Sequence, residues 1–215
     1  MLWPRVRSNL PPPPGTIVEL GCGRLGGFVP ALHAAGYEAL GIDPVAPEGS
    51  SYRQIEFERS DLSTQLNGLV ACTSLHHVGD PAGVLDKIAA TLVPGATVVV
   101  VEWDWERFDE TTARWCFARL EEPAADGWLR RHRDEWDASK QDWNDYLRGW
   151  ATQHGIHSGA RLLDELDRRF RCVMCERGPY FFPDLAQTVE ADELGAIRAG
   201  EIQATRIDYV GRLDP

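Results

Sequence analysis

Basic charge is scarce in this 215-residue chain, where 22 Lys and Arg stand against 33 Asp and Glu for a formal net charge of −11. No basic run exceeds the pairs Arg130-Arg131 and Arg168-Arg169. Phosphate recognition rests on clustered Lys and Arg, so polyanions such as DNA or tRNA are disfavoured. Long apolar runs are missing as well: nothing approaches the roughly 18 to 20 residues of a membrane-spanning helix. Met1 to Leu10 also lacks an apolar core of signal-peptide length, which points to a cytoplasmic protein. The five cysteines are odd in number and widely spread, which fits reduced thiols and excludes a disulfide framework. Cys172-Val-Met-Cys175 is formally C-x-x-C, but it falls in an expected strand, where positions three apart point to opposite faces. With no second pair, no metal site is expected. The length suits one α/β domain, 1–215, with a modest lid, and argues against a separate substrate domain.

Glycine, by contrast, is concentrated where it matters. Ile17 to Gly27 reads I-V-E-L-G-C-G-R-L-G-G, an apolar run that passes through Glu19 into Gly21, Gly23, Gly26 and Gly27. Glycine is needed where a backbone turns with positive φ or lets a ligand lie against it. Asp43 closes a second apolar segment, Tyr37 to Ile42, where a carboxylate can accept both hydroxyl protons of a ribose. The two features together read as a nucleoside site. Gly21-x-Gly23-x-x-Gly26 also satisfies the dinucleotide fingerprint, so a nicotinamide-dependent oxidoreductase is an alternative. Three features favour S-adenosylmethionine instead. Glu19, two residues before the first glycine, can sit near a ligand ammonium but would repel a pyrophosphate. Ser60-Asp61-Leu62 follows a short segment at Ile55 to Phe57, where a carboxylate can meet the exocyclic amine of adenine. Val70 to Pro81 then forms a fourth strand ending in His76 and His77, with a helix starting at Asp80-Pro81.

On these residues, from about Ile17 to Glu102, the chain resembles the class I S-adenosylmethionine-dependent methyltransferases of the small-molecule type. Glu19, Gly21 and Gly23 match that family's acidic-x-Gly-x-Gly-x-Gly motif, while Leu25 stands at the third glycine and Gly26 follows it. The resemblance implies a Rossmann-like α/β fold: a seven-stranded, mostly parallel sheet with a final antiparallel strand, and a helical lid at 103–158 inserted after strand 5. It further implies cofactor contacts from Glu19, Gly21, Cys22 and Gly23, from Asp43 and Pro44 at the ribose, and from Asp61 and Leu62 at the adenine. Thr73 and Ser74 would lie beneath the cofactor. The Asn-Pro-Pro-Tyr type tetrapeptide of the amino-methylating DNA enzymes is absent after the fourth strand.

Local patterns set out the rest. Four consecutive prolines, Pro11 to Pro14, predict an extended, helix-free arm for residues 1–14. A helix is expected over Gly26 to Ala35, beginning late because of Pro30 and closed by Gly36. Asp80 and Pro81 start a helix carrying Val84, Ile88 and Leu92, which should stop at Pro94-Gly95. Ala96 to Val101 is mostly β-branched and suits a strand covered on both faces. Residues 103–150 hold Trp103, Trp105, Trp115, Trp128, Trp136, Trp143 and Trp150, seven of the eight tryptophans, which implies a compact helical region with rings packing its interior. A helix over Gly159 to Phe170, strands over Arg171 to Phe182 and Ala204 to Leu213, and a helix near Ala191 to Ala199 complete the pattern.

Methyl transfer from a sulfonium is an in-line displacement, so holding the nucleophile on axis is the main task. A base is needed only where the nucleophile must shed a proton, and His77, ahead of His76, is the natural candidate. Glu102 is a third candidate, as a base or as a group binding a cationic amine. Trp103, Asp104 and Trp105 leave the fifth strand at its carboxyl end, where open α/β sheets bind ligands, and are the candidate acceptor contacts. The expected activity is O- or N-methylation of a small, aromatic-containing molecule. A cofactor-binding protein with no methylating activity is the second alternative. The partner is a small molecule, not nucleic acid or membrane, and a homodimer is left open.

Overall fold

The computed structural model describes residues 2–62, 65–120 and 127–214. It divides into two compact units. The first comprises 1–102, 160–176 and 208–215; the second comprises 103–159 and 177–207.

Seven strands make one sheet: β1 (Thr16–Leu20), β2 (Glu38–Ile42), β3 (Tyr52–Arg53), β4 (Leu66–Cys72), β5 (Leu92–Trp103), β6 (Arg171–Gly178) and β7 (Arg206–Arg212), in the order β3-β2-β1-β4-β5-β7-β6. The ladders among β1 to β5 are parallel, and β7 runs antiparallel between β5 and β6. This is the Rossmann-like arrangement expected from the sequence, with the antiparallel strand last in the chain. The central strands carry near-continuous apolar runs because both faces are covered. Ile17 and Val18 of β1, Leu69 to Ala71 of β4 and Val98 to Val101 of β5 are all buried.

Four expectations are corrected. Residues 1–14 are not helix-free: α1 (Trp3–Asn9) precedes the prolines, with Pro4 in its first turn, where a missing N–H costs nothing. Val6 and Leu10 anchor it by packing with Ile17, Val29 and Leu32. The segment at Ile55 to Phe57 is no strand; β3 lies earlier, and Phe57–Arg59 is a 3₁₀ turn with Phe57 buried. The third helix of the chain ends before Pro94, because Leu92 pairs with Leu66 and opens β5, and the register shift after Leu66 absorbs Pro94 and Gly95. β6 stops at Gly178, and Phe182–Asp184 forms a 3₁₀ turn.

The helices of the first unit are α1, α2 (Val29–Ala34), which starts late with Pro30 in its first turn, α3 (Pro81–Thr91) and most of α7, introduced below. The second unit contains α4 (Glu110–Phe117), α5 (Trp128–Ser139) and α6 (Trp143–Gln153); α7 (Gly159–Asp167) leads out of it and α8 (Glu190–Arg198) lies within it. Its interior is a ring cluster in which Trp143, fully buried, meets Phe108 edge-on at 5.1 Å and Trp136 at 5.1 Å. Buried Glu193 holds the approach to α8 by accepting the Tyr180 and Phe182 N–H groups, each at 2.7 Å. No helix among the described residues is long and apolar enough to cross a membrane.

Candidate active site

The glycine loop begins where β1 ends. Gly21 takes φ +78°, and its N–H donates to the Ile42 carbonyl at 2.8 Å, tying the loop to the end of β2. A side chain at Gly21 would overlap that of Ser74, so the position needs glycine on both counts. Gly27 is equally confined, because a Cβ there would run into the Glu19 carboxylate. Glu19 itself is buried, and its Oε2 accepts the Phe28 N–H at 2.6 Å at the start of α2. Burial raises its pKa to about 7, with the Phe28 and Val29 amides working in the opposite direction. The charge expected to face a ligand ammonium is therefore turned toward the helix N-terminus. Asp43 caps the other side of the loop: Oδ2 accepts the Gly23 N–H at 3.0 Å and Oδ1 the Val45 N–H at 2.8 Å.

A cavity of about 520 Å³ opens at these strand ends. Of the residues expected to bind the cofactor, Gly21, Asp43, Pro44, Thr73 and Ser74 line it, and so does His77. Gly23 borders it through its bond to Asp43, with open space above its Cα. Cys22 points into the protein against Gly41, and burial pushes its thiol up to about 12, reinforced by the charges of Glu19 and Asp43. Asp61 and Leu62 are not among the lining residues; the exposed Asp61 offers its carbonyl to Arg53 at 2.5 Å. The wall there is formed by Glu56, Phe57 and Glu58. Phe57 thus stands in the wall between two carboxylates, four residues before Asp61.

The remaining wall is the segment after β4. Thr73 adopts φ +51°, rare for a non-glycine, and its N–H donates to Val101 at 2.7 Å. Ser74 Oγ donates to the Leu20 carbonyl at 2.9 Å, and residues Leu75–His77 form a 3₁₀ turn. His77 faces the cavity while His76 is buried with Nδ1 against Glu102 Oε2. Although one side of His77 is open to solvent, partial desolvation and then the neighbouring His76 lower its pKa below the ordinary histidine value, while Glu102 partly offsets them. Glu102 lies outside the lining residues and is 1% exposed.

Trp103, Asp104 and Trp105 belong to the second unit. Trp103 is buried, stacked on Tyr180 at 6.0 Å and edge-on to Trp128 at 5.3 Å. Asp104 is buried and accepts Arg177 Nη1 at 2.5 Å. Trp105 is partly buried against the same ring cluster. Among the described residues, no group of three or more His, Cys, Asp or Glu is arranged to hold a metal ion.

A parallel sheet with a glycine loop after β1, an acid after β2 and a cavity at the strand ends defines a nucleoside-binding α/β enzyme. A family model described as a methyltransferase domain matches residues 2–170, and the chain belongs to that family. No curated protein sequence matches it. Among solved structures it is similar to an S-adenosylmethionine-dependent methyltransferase from Mesorhizobium loti, at 19% identity and TM-score 0.59 over 98% of this chain and 97% of that one. It is also similar to the N-methyltransferase NodS from Bradyrhizobium japonicum bound to S-adenosyl-L-homocysteine, at 12% identity and TM-score 0.54 over 98% and 84%. A third, the geranyl diphosphate C-methyltransferase of Streptomyces coelicolor, shows 14% identity and TM-score 0.53 over 98% and 77%. S-adenosylmethionine is the cofactor. The residues fit it: open space over Gly23, with Asp43 and Phe57 both in the cavity wall, suits a nucleoside.

Proposed function

We propose that this methyltransferase acts on an oxygen or nitrogen of a small, aromatic-containing molecule, with His77 as general base. The observation that carries this reading is an imidazole in the cavity wall, beside the residues that would hold the nucleoside, where it could take a proton from an attacking hydroxyl or amine. When bound, the cofactor supplies an electrophilic methyl group. Asp43 would hold the ribose diol and Phe57 the adenine ring, leaving His77 at the cavity wall to draw the proton from the attacking hydroxyl or amine. The formal charge of −11 favours a small acceptor over a polyanion. The structural neighbours methylate nitrogen in one case and carbon in another, so the choice of oxygen or nitrogen rests on the base.

Titration with S-adenosylhomocysteine, then a screen of metabolite extracts with isotopically labelled methyl donor, identifies the acceptor. His77→Gln should then lower turnover by about a hundredfold to ten-thousandfold while S-adenosylhomocysteine affinity stays within about twofold. Wild-type turnover should rise with pH through an inflection below 6.5, and the variant should lack it. Full turnover with an unchanged pH profile in His77→Gln would overturn the role of base.

A further inference from the structure

One side chain from the neighbouring strand β5 holds the turn that carries His77. Glu102, at the end of the β5 segment belonging to the first unit, is 1% exposed. Its Oε1 accepts the Ser74 N–H at 2.9 Å and the Leu75 N–H at 2.7 Å, and its Oε2 meets His76 Nδ1. A carboxylate in such a place is tolerated only when its lone pairs are filled. Here three consecutive residues, Ser74, Leu75 and His76, fill them, and the fourth is His77. The His76 ring, fixed by Glu102, lies 4.0 Å from the His77 ring, centroid to centroid, with 42° between their planes.

We propose that Glu102 is the positioning residue for His77, acting through the Ser74 and Leu75 amides and the His76 ring to set where the His77 imidazole stands in the cavity wall. The inference rests on the role proposed for His77 and assigns Glu102, a candidate base from the sequence, a different task. Shortening the carboxylate by one methylene keeps its charge but draws it back from three donors at once. The turn then loosens and the His77 ring leaves the place against His76 that the clamp gives it. Removing His76 leaves the two amide contacts and deletes the neighbouring proton that disfavours one on His77. Asp43, Glu56 and Glu58 share the cavity wall, and their charges favour a proton on His77 equally in every variant.

The test uses the full chain, labelled with ¹⁵N-histidine and saturated with S-adenosylhomocysteine, and follows the His77 ring with pH by NMR. In Glu102→Asp the His77 inflection should move up toward the ordinary histidine value. S-adenosylhomocysteine affinity should stay within about threefold, and turnover should fall about tenfold or more with the cofactor KM unchanged. In His76→Asn the inflection should also move up. An unmoved inflection and wild-type turnover in Glu102→Asp and Glu102→Gln, alongside a lower melting temperature, would make Glu102 merely structural and overturn the inference. If neither Glu102 variant folds, His76→Asn decides, and an unshifted His77 there overturns it. Full turnover in His77→Gln would sink the base reading alone, because the shift of His77 in Glu102→Asp is read without catalysis.

Discussion

Around β1 and β4 the interior is aliphatic, with Ile17, Leu69 and Val70 sealed between helices and neighbouring strands, whereas around α6 it is made of rings, with Phe108 meeting both Trp143 and Phe181. The two interiors answer to different constraints. In the sheet, hydrogen-bonded ladders fix backbone positions first, and branched aliphatic side chains fill what remains. In the second unit the interior is built mainly between helices, so the orientation of large rings sets the packing, with an indole N–H finding a carbonyl at Trp143. Trp143 shows both, since its ring meets those of Phe108, Phe117, His132, Trp136 and Tyr146 and its Nε1 donates to the Phe108 carbonyl. The functional groups divide the same way. Glycine and backbone amides build the site in the first unit, while in the second buried Glu193 and His132 bond within its own interior.

The largest effect expected from this contrast is at Trp143. Trp143→Ala should cost about 3–5 kcal/mol, against about 0.5–1.5 kcal/mol for Ile17→Val in the sheet. Urea unfolding read by near-ultraviolet circular dichroism measures both, and equal losses would break the comparison.

Next comes the difference between glycines. Gly21→Ala and Gly27→Ala should each weaken S-adenosylhomocysteine binding by about a hundredfold, roughly 2.7 kcal/mol. Both combine a positive φ with a blocked Cβ. Gly149→Ala in α6 and Gly195→Ala in α8, where a Cβ meets nothing within 4 Å, should instead stabilise by about 0.4–1 kcal/mol with binding unchanged. Calorimetric titration and melting temperatures separate the two outcomes, and unimpaired binding in the Gly21 and Gly27 variants would move the site elsewhere.

The smallest effect is on pH dependence, where the units carry opposite signs. Glu19 in the first unit has its pKa raised to about 7, so its contribution is present below about 4.5 and is lost as pH rises to about 7. His132 in the second unit is buried against Trp150 and bonded to the Tyr146 hydroxyl, and burial lowers its pKa to about 4. Its contribution is present above about 6.5 and is lost as pH falls to about 4. Each loss should be on the order of 1–3 kcal/mol. Unfolding free energies across pH 4 to 8 for Glu19→Gln and His132→Phe should flatten opposite limbs of the profile. Flattening of the same limb by both would contradict the assignment.

Much of the sheet was legible in the chain, because β-branched runs, glycines and the Asp80-Pro81 start act within a few residues of themselves. What escaped was decided at longer range. α1 forms beside four prolines because Val6 and Leu10 find a buried surface. The cavity wall at Phe57 follows from β3 ending early at Arg53. Of the cavity wall, Gly21, Asp43 and His77 could be named from motif and spacing, but the partners of Glu19 and Glu102 could not.

The sequence by itself determined where the backbone must turn, which segments alternate or run apolar, and which acid follows β2, since φ preferences and hydrophobic periodicity belong to the residues themselves. Only the tertiary structure decided what each buried carboxylate does. Glu19 caps α2, Glu102 clamps a turn 28 residues earlier in the chain at Ser74, and Glu193 holds the Tyr180 and Phe182 amides. A carboxylate has no intrinsic partner, and burial makes it take the nearest N–H groups that packing brings within reach.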